Sequence, residues 1–537
     1  MKKKIIFVLF SILIIIGLSL IIYPNKKEYI EIDGIKYAIL VDGVKATSFP
    51  VGIYKVDVNC NNAYGYWDSF YNKIIIKDVS GEVTCNVSFD STTSSDILND
   101  YLINLSGSTQ GDGALVHEIL HIPDFSGSSP LTQFGSTPAY FQNSSQNANN
   151  QTVVDDYWTL NSSTGEFSSN PSKMTTSNRY YHLYVKVPEA GYYQVCYTIE
   201  RSTNINDGLN LVKNLTSITS IGSSTSADIG PACLTIGYFE ENDYINISER
   251  AYTGISAPQI VLSIKKTNNT VDIDAGYRYE GVNPNNYILF NNELWRIIGV
   301  MNENSHGIYN KNLVKIIRAS GIDSLAWNKT SNNNWPDSSL YHLLNYEYYD
   351  WETNKANIAT YCYIGSYAKN ACDYTIKGIK EGYRGMIANA TWYLGGGAKD
   401  GYTNYVVNDI YDYERNPNAV YTGRSASTTG KIGLMYESDY LLGALESDCH
   451  HFIQHSNYAT SNCAGKNWLI YGEEWLLTPR SNSTNYIYYV YSNGNVSNTS
   501  TTSALQVRPV LYLIDGLYRI SGTGSITDPY IIDAGLQ

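Results

Sequence analysis

One uninterrupted apolar run opens this chain, and short alternations of apolar and polar residues fill much of the rest. From Ile5 to Tyr23 no residue is charged, while Lys2, Lys3 and Lys4 precede the run and Lys26 and Lys27 follow it. As a helix those nineteen residues would span about 28 Å, close to the hydrocarbon thickness of a bilayer. The pattern predicts a membrane anchor over residues 1–27, its basic N-terminus in the cytoplasm and everything after it outside. A signal peptide cut near Tyr23 is the alternative, and it too exports the remainder.

Beyond the run the period is that of strands. Tyr29-Ile-Glu-Ile and Lys36-Tyr-Ala-Ile-Leu-Val flank Asp33-Gly34, a hairpin signal. Ile53-Tyr-Lys-Val-Asp-Val and Lys73-Ile-Ile-Ile-Lys complete a β module over 28–100. Residues 101–155 read as a linker with a short helix, because Ser, Asn, Gln, Thr and Gly dominate from Gly127 to Thr152. Over 156–275, Leu183-Tyr-Val-Lys-Val, Tyr192-Tyr-Gln-Val-Cys-Tyr-Thr-Ile, Leu234-Thr-Ile-Gly-Tyr-Phe, Asp243-Tyr-Ile-Asn-Ile and Gln259-Ile-Val-Leu-Ser-Ile predict an antiparallel β-sandwich. Over 276–537 strands such as Leu294-Trp-Arg-Ile-Ile-Gly-Val mix with helices. One is expected to open at Pro336, with Leu340, Leu343 and Leu344 on one face; another is expected to be capped by Ser438. Asn493-Gly494 marks a hairpin between Tyr486-Ile-Tyr-Tyr-Val-Tyr and the strand at Val507. The fold class is therefore multi-domain, mainly β with an α+β C-terminal domain.

Composition sharpens the compartment. Charged residues are only 16%, Tyr numbers 49, and the formal charge is −13. The first 27 residues carry five Lys and no acid, which leaves 32 bases against 50 acids in the body, a balance of −18. So acidic a body disfavours nucleic acid as a partner, since phosphate recognition needs clustered Lys and Arg. The eight cysteines fall in four local couples, Cys60/Cys85, Cys196/Cys233, Cys362/Cys372 and Cys449/Cys463. None has C-x-x-C spacing, and sequential structural disulfides in an exported chain are the simplest reading.

Tyr277-Arg-Tyr-Glu-Gly-Val-Asn-Pro-Asn-Asn-Tyr287, Phe290-Asn-Asn-Glu-Leu-Trp-Arg-Ile-Ile-Gly-Val300 and Trp475-Leu-Leu-Thr-Pro-Arg-Ser481, with Val507-Arg-Pro-Val-Leu511 and the closing Ser521–Tyr530 segment, resemble an uncharacterised family of bacterial surface proteins. That family's C-terminal domain is similar to the C-type-lectin-like fold shared with formylglycine-generating-enzyme relatives. The resemblance implies a lectin-like head over 276–537 and a role in surface recognition. It implies neither calcium nor copper, because Glu-Pro-Asn and Trp-Asn-Asp signatures and an oxidase-type cysteine couple are missing.

The sharpest enzymatic candidate is His117-Glu-Ile-Leu-His121. On a helix, positions i and i+4 share a face, so both imidazoles could hold zinc while Glu118 activates water. A short linker helix with exposed histidines explains the same residues. Cys449-His450-His451 with His455 and Cys463 offers a second metal-ligand spacing, unless the two sulfurs are bonded to each other. Gly395-Gly-Gly397 lacks the Lys-Ser/Thr that would complete a phosphate loop. Glu473-Glu474 is a possible glycosidase carboxylate whose partner the sequence does not reveal. The expected function is binding or adhesion at the cell surface, directed at an extracellular glycan or protein and needing no cofactor. The alternatives are a zinc metallopeptidase using His117, Glu118 and His121, and a purely structural envelope component.

Overall fold

A computed structural model describes residues 29–533 apart from segments 51–53, 69–72, 92–96, 135–138, 144–151, 154–156, 174–178, 201–206, 214–215, 224–228, 252–258, 354–359, 397–405, 417–422, 450–454 and residue 482. The expected anchor over 1–27 lies outside them. Among the described residues no helix is long and apolar enough to cross a membrane.

The chain is mainly β, arranged around three cores. In the first, Ile30–Ile32 and Ile35–Val41 form the expected hairpin. Its turn residues Asp33 and Gly34 both have positive φ, at 54° and 79°, the left-handed pair that a tight hairpin turn demands. Thr84–Ser91 runs parallel to Ile35–Val41 on one side and antiparallel to Tyr54–Cys60 on the other. Cys60 and Cys85 stand opposite each other in that ladder and are disulfide-bonded. The core is small, built on Tyr37, Ile39, Val83, Val87 and Phe89, so the staple supplements a modest apolar burial.

The sandwich is present as two antiparallel sheets of six and five strands. Leu183, Val185, Ile245 and Ile247 of one pack with Val195, Phe239, Leu262 and Ile264 of the other. Cys196 and Cys233 are again cross-strand partners, joined by a disulfide. The expected linker contributes two strands here, Ala139–Asn143, which pairs with Arg179–Lys186, and Thr152–Val153, which forms the edge beyond it.

The C-terminal head holds a nine-stranded mixed sheet, a second five-stranded sheet and short helices. Residues 98–123, expected as the end of the first β module and, from 101, as linker, belong to it. The helix Leu98–Asn104 buries Leu98 and Leu102 in the head's core. The strand Gly111–Pro123 pairs along its whole length with Thr270–Pro284. Gly113 and Gly281 face each other in that ladder, and a Cβ on Gly281 would lie 2.6 Å from the Gly113 Cα. Only glycines permit so close an approach. The sandwich is thus inserted between two neighbouring strands of the head, with Thr270 directly opposite Pro123. Sequence order concealed this, because residues 124–269 intervene between the segment that completes the head and its partner strand.

The remaining expectations divide. Leu340, Leu343 and Leu344 are buried together, but their helix starts at Ser339, capped by the Ser338 side chain, while Pro336 sits in a preceding 3₁₀ turn. Ser438 caps nothing; it is inside the helix Glu437–Leu441. The Asn493-Gly494 hairpin joins Tyr486–Val490 to Val496–Ser500 rather than to the strand at Val507.

Candidate functional site

The zinc-helix expectation is overturned by local geometry. His117, Glu118 and His121 lie on the strand Gly111–Pro123, not on a helix. Adjacent side chains on a strand point to opposite faces, and positions i and i+4 are about 13 Å apart. Glu118 is buried while His117 is exposed and packs on the Tyr277 ring at 4.7 Å. His121 turns to the sandwich, its Nε2 3.2 Å from the Tyr192 hydroxyl. The three cannot share one ion. Glu118 instead meets Glu280, whose carboxyl is pushed up to about 10 by burial and by Glu118.

The second histidine cluster does not assemble either. Cys449 and Cys463 are bonded to each other, which removes both thiolates, and His450 and His451 lie outside the described residues. His455 is buried with its Nδ1 against Glu437. Among the described residues no group of three or more His, Cys, Asp or Glu could hold a metal ion. Glu474 is buried and clamped by Arg508, which donates to it at 2.6 Å through both Nε and Nη2, whereas Glu473, just ahead of the strand, is exposed. Gly395 donates its N–H to the Glu414 carbonyl and offers no cradle.

The head's interior holds a cluster of buried ionic groups that no local pattern along the chain announces. Three consecutive helix residues, Glu437, Ser438 and Asp439, are all buried. Each takes a different partner: His455 for Glu437, Glu414 for Ser438, and both Arg278 and Lys315 for Asp439. Trp392, Tyr436 and Tyr512 surround the Lys315 ammonium, their ring centres 5.9, 4.6 and 5.2 Å away. Burial pushes the Asp439 carboxyl upward, but Lys315 and Arg278 outweigh it and hold it at about 2. Burial brings Lys315 down to about 8. These groups are sealed from solvent, so their arrangement fixes the packing of strands against helices rather than meeting a ligand.

What the head presents outward is an aromatic ledge. After the turn Ser339–His342, residues Leu343–Tyr348 widen into a π-helix, a rare geometry that recurs at functional sites. The His342 ring is sandwiched between Tyr346, at 5.6 Å and 24°, and Tyr361, at 4.9 Å and 26°. Tyr346 is 50% exposed. Burial lowers the His342 pKa, so the stack is neutral at physiological pH. Tyr361 is held in place by Glu347, which accepts the backbone N–H groups of Thr360 and Tyr361 at 3.1 and 3.2 Å.

A stapled loop continues the ledge. The Cys362–Cys372 disulfide closes it, Tyr363 bridges to Lys369, and the tip exposes Ile364 and Tyr367 at 46% and 68%. Tyr367 donates its N–H to the Lys329 carbonyl at 3.3 Å. The ammonium groups of Lys329 and Lys369 sit 5.7 and 5.8 Å from the Tyr363 ring centre. Sequence reading noted the abundance of Tyr but had no means to gather Tyr346, Tyr361 and Tyr367, because two hydrogen bonds and a disulfide do the gathering.

No family model matches the chain, and no curated protein is similar to it. Among solved structures, the secreted serine protease VesC from Vibrio cholerae is 10% identical over 36% of this chain and 32% of its own, with a TM-score of 0.17. This chain therefore spans about a third of that protein. Pika GITRL is 9% identical over 23% of this chain and 94% of its own, with a TM-score of 0.12. The adhesin domain of Epf from Streptococcus pyogenes is 10% identical over 37% and 91%, with a TM-score of 0.10. TM-scores this low carry no argument about fold or activity.

Proposed function

We propose that this is an exported cell-surface protein, anchored through residues 1–27, whose head recognises an extracellular glycan or protein. The observation that carries the reading is the ledge. A π-helix, a buried carboxylate and a disulfide hold partly exposed aromatic rings in fixed positions, which lowers the entropy cost of binding. Four disulfides in one chain favour an oxidising compartment. The resemblance of Tyr277–Val300 and Trp475–Ser481 to bacterial surface proteins points the same way.

The test is binding of the purified ectodomain, residues 28–537, to a glycan array and to a panel of extracellular matrix proteins. Binding to a member of either panel, weakened by Tyr346→Ala, is the expected result. Absence of any ligand from both panels overturns the reading.

A further inference from the structure

Two arginines of the head act on each other, and only one of them has a carboxylate. Among the described residues the ion-paired arginines are Arg278, Arg318, Arg384, Arg415 and Arg508. Arg296 is not one of them, although it is only 8% exposed. The titratable groups that act on its charge are Tyr287 and Arg508, with no acid among them. Asp112 stands opposite Asn283 on the neighbouring strand but makes no ion pair with Arg296. Glu474 is already committed to Arg508.

Buried charges are ordinarily paired with a counter-charge. Here aromatic faces and neutral oxygens stand in for it. The guanidinium carbon lies 4.4 Å from the ring centres of both Tyr287 and Trp468, within cation–π range. Its Nε donates to Asn286 Oδ1 at 2.8 Å. Nη2 donates to the Pro284 carbonyl at 3.2 Å and to Asn283 Oδ1 at 3.3 Å, and Nη1 to the Trp468 carbonyl at 3.5 Å. Only the first of these is short. Burial, aided by Arg508, brings the guanidinium down to about 10, so it stays charged at neutral pH.

One side of this group leads to solvent. Asn286 and Trp468 are buried, whereas Val282 and Asn283 are exposed and Tyr287 is half-buried. The Asn283 amide is thus a displaceable cover over Nη2.

We infer that Arg296 receives the carboxylate of an extracellular ligand, which displaces the Asn283 amide from Nη2 and supplies the missing counter-charge. The site uses none of the ledge residues. A planar anion with two oxygens matches the guanidinium fork. Two guanidinium groups against Glu474 leave one positive charge, which a single carboxylate balances and a dianion overshoots. A sugar acid and a peptide end both present that group.

Isothermal titration of the full ectodomain with glucuronate and with N-acetylglycine, each compared with its neutral amide and with sulfate, tests the assignment. At least one carboxylate should bind about tenfold more tightly than its amide, a preference of about 1.4 kcal/mol, and more tightly than sulfate. The better of the two acids distinguishes a sugar source from a peptide source. Asn283→Asp places a built-in carboxylate over Nη2. In an Asp112→Asn background, which removes the facing carboxylate, it should raise the head's melting temperature by about 2 °C and abolish carboxylate binding. Asn283 is exposed, so this variant disturbs no core.

No binding of either acid, equal binding of acid and amide, or tighter binding of sulfate overturns the carboxylate assignment. Carboxylate binding that survives Asn283→Asp places the site elsewhere and overturns the role of Arg296. A melting temperature that Asn283→Asp leaves unchanged shows that Arg296 needs no further counter-charge and overturns the inference at its root. The ledge reading survives each of these results, since it fails only when neither the glycan nor the matrix-protein panel yields a ligand.

Discussion

Lys315 and Asp439 meet in the interior of the head with both side chains 1% exposed, and Arg278 donates to the other oxygen of the same carboxylate at 2.9 Å. One anion thus serves two buried cations. This asymmetry decides which substitution is costly. Asp439→Ala would leave two unpaired cations in a low-dielectric core, and a loss of about 3–5 kcal/mol or failure to fold is expected. Lys315→Met leaves Asp439 paired with Arg278 and retains apolar bulk among Trp392, Tyr436 and Tyr512, so a clearly smaller loss is expected. Urea unfolding of the two variants checks the order; equal losses would refute it.

Asp439 also sets the response to acid. Its carboxyl is held at about 2 in the folded state, below an unfolded value of about 3.9. A depressed acid stabilises the fold above its unfolded pKa and loses that contribution as pH falls through its folded value. Unfolding midpoints should therefore drop between about pH 4 and pH 2, less steeply in a Lys315→Met variant, whose carboxyl keeps one cation instead of two.

Glu280 behaves in the opposite sense. With a folded-state pKa of about 10, it holds a proton that the unfolded chain releases above about pH 4.3. Its contribution is complete below that value and is lost as pH rises toward 10. Glu280→Gln keeps a donor for Glu118 and cannot ionise. The decline in stability between about pH 5 and pH 9 should flatten in this variant, as read from denaturant midpoints at several pH values. An unchanged slope would show that Glu280 is not the proton holder.

The inserted sandwich makes a prediction about deletion. Thr270 stands opposite Pro123, so replacing residues 124–269 by Asn-Gly would close the two strands into a hairpin. The shortened head should fold and retain the ledge. A fragment beginning at residue 276 should not, because it lacks Leu98, Leu102, Leu115 and Leu120 from the head's core. Burying each leucine is worth about 1.5–3 kcal/mol. Circular dichroism and thermal melting of the two products separate the cases.

The staples differ in what they hold. The Cys60–Cys85 bridge closes a 25-residue separation, for which chain entropy gives about 3.5 kcal/mol, against a core of few buried side chains. Its Cys→Ala pair should unfold residues 29–91 while the head persists. The Cys362–Cys372 pair, itself buried in the head, closes a 10-residue separation whose loop is exposed. Its removal should weaken ligand binding more than it lowers the melting temperature, as calorimetry and titration of the same variant would show.

Features that rest on near neighbours were legible along the chain. The Asp33-Gly34 hairpin is set by local backbone preference, and the two-residue alternation at Leu183–Val187 and Gln259–Ile264 marks which faces pack. The local cysteine couples pair as sequential bonding requires. The helix Val407–Arg415 was missed even though Val407, Ile410, Tyr411 and Glu414 mark its buried face, because a polar sequence surrounds it. His117-Glu118-His121 misled for a related reason. The same residues satisfy a helical motif, and the choice of strand was made by a partner strand beginning at Thr270. Long-range packing alone brings residues 98–123 into the head, Asp439 to Arg278 and Lys315, and Tyr346, His342 and Tyr361 into one stack. Each of those contacts joins segments far apart in the chain or depends on a buried charge whose partner no local pattern specifies.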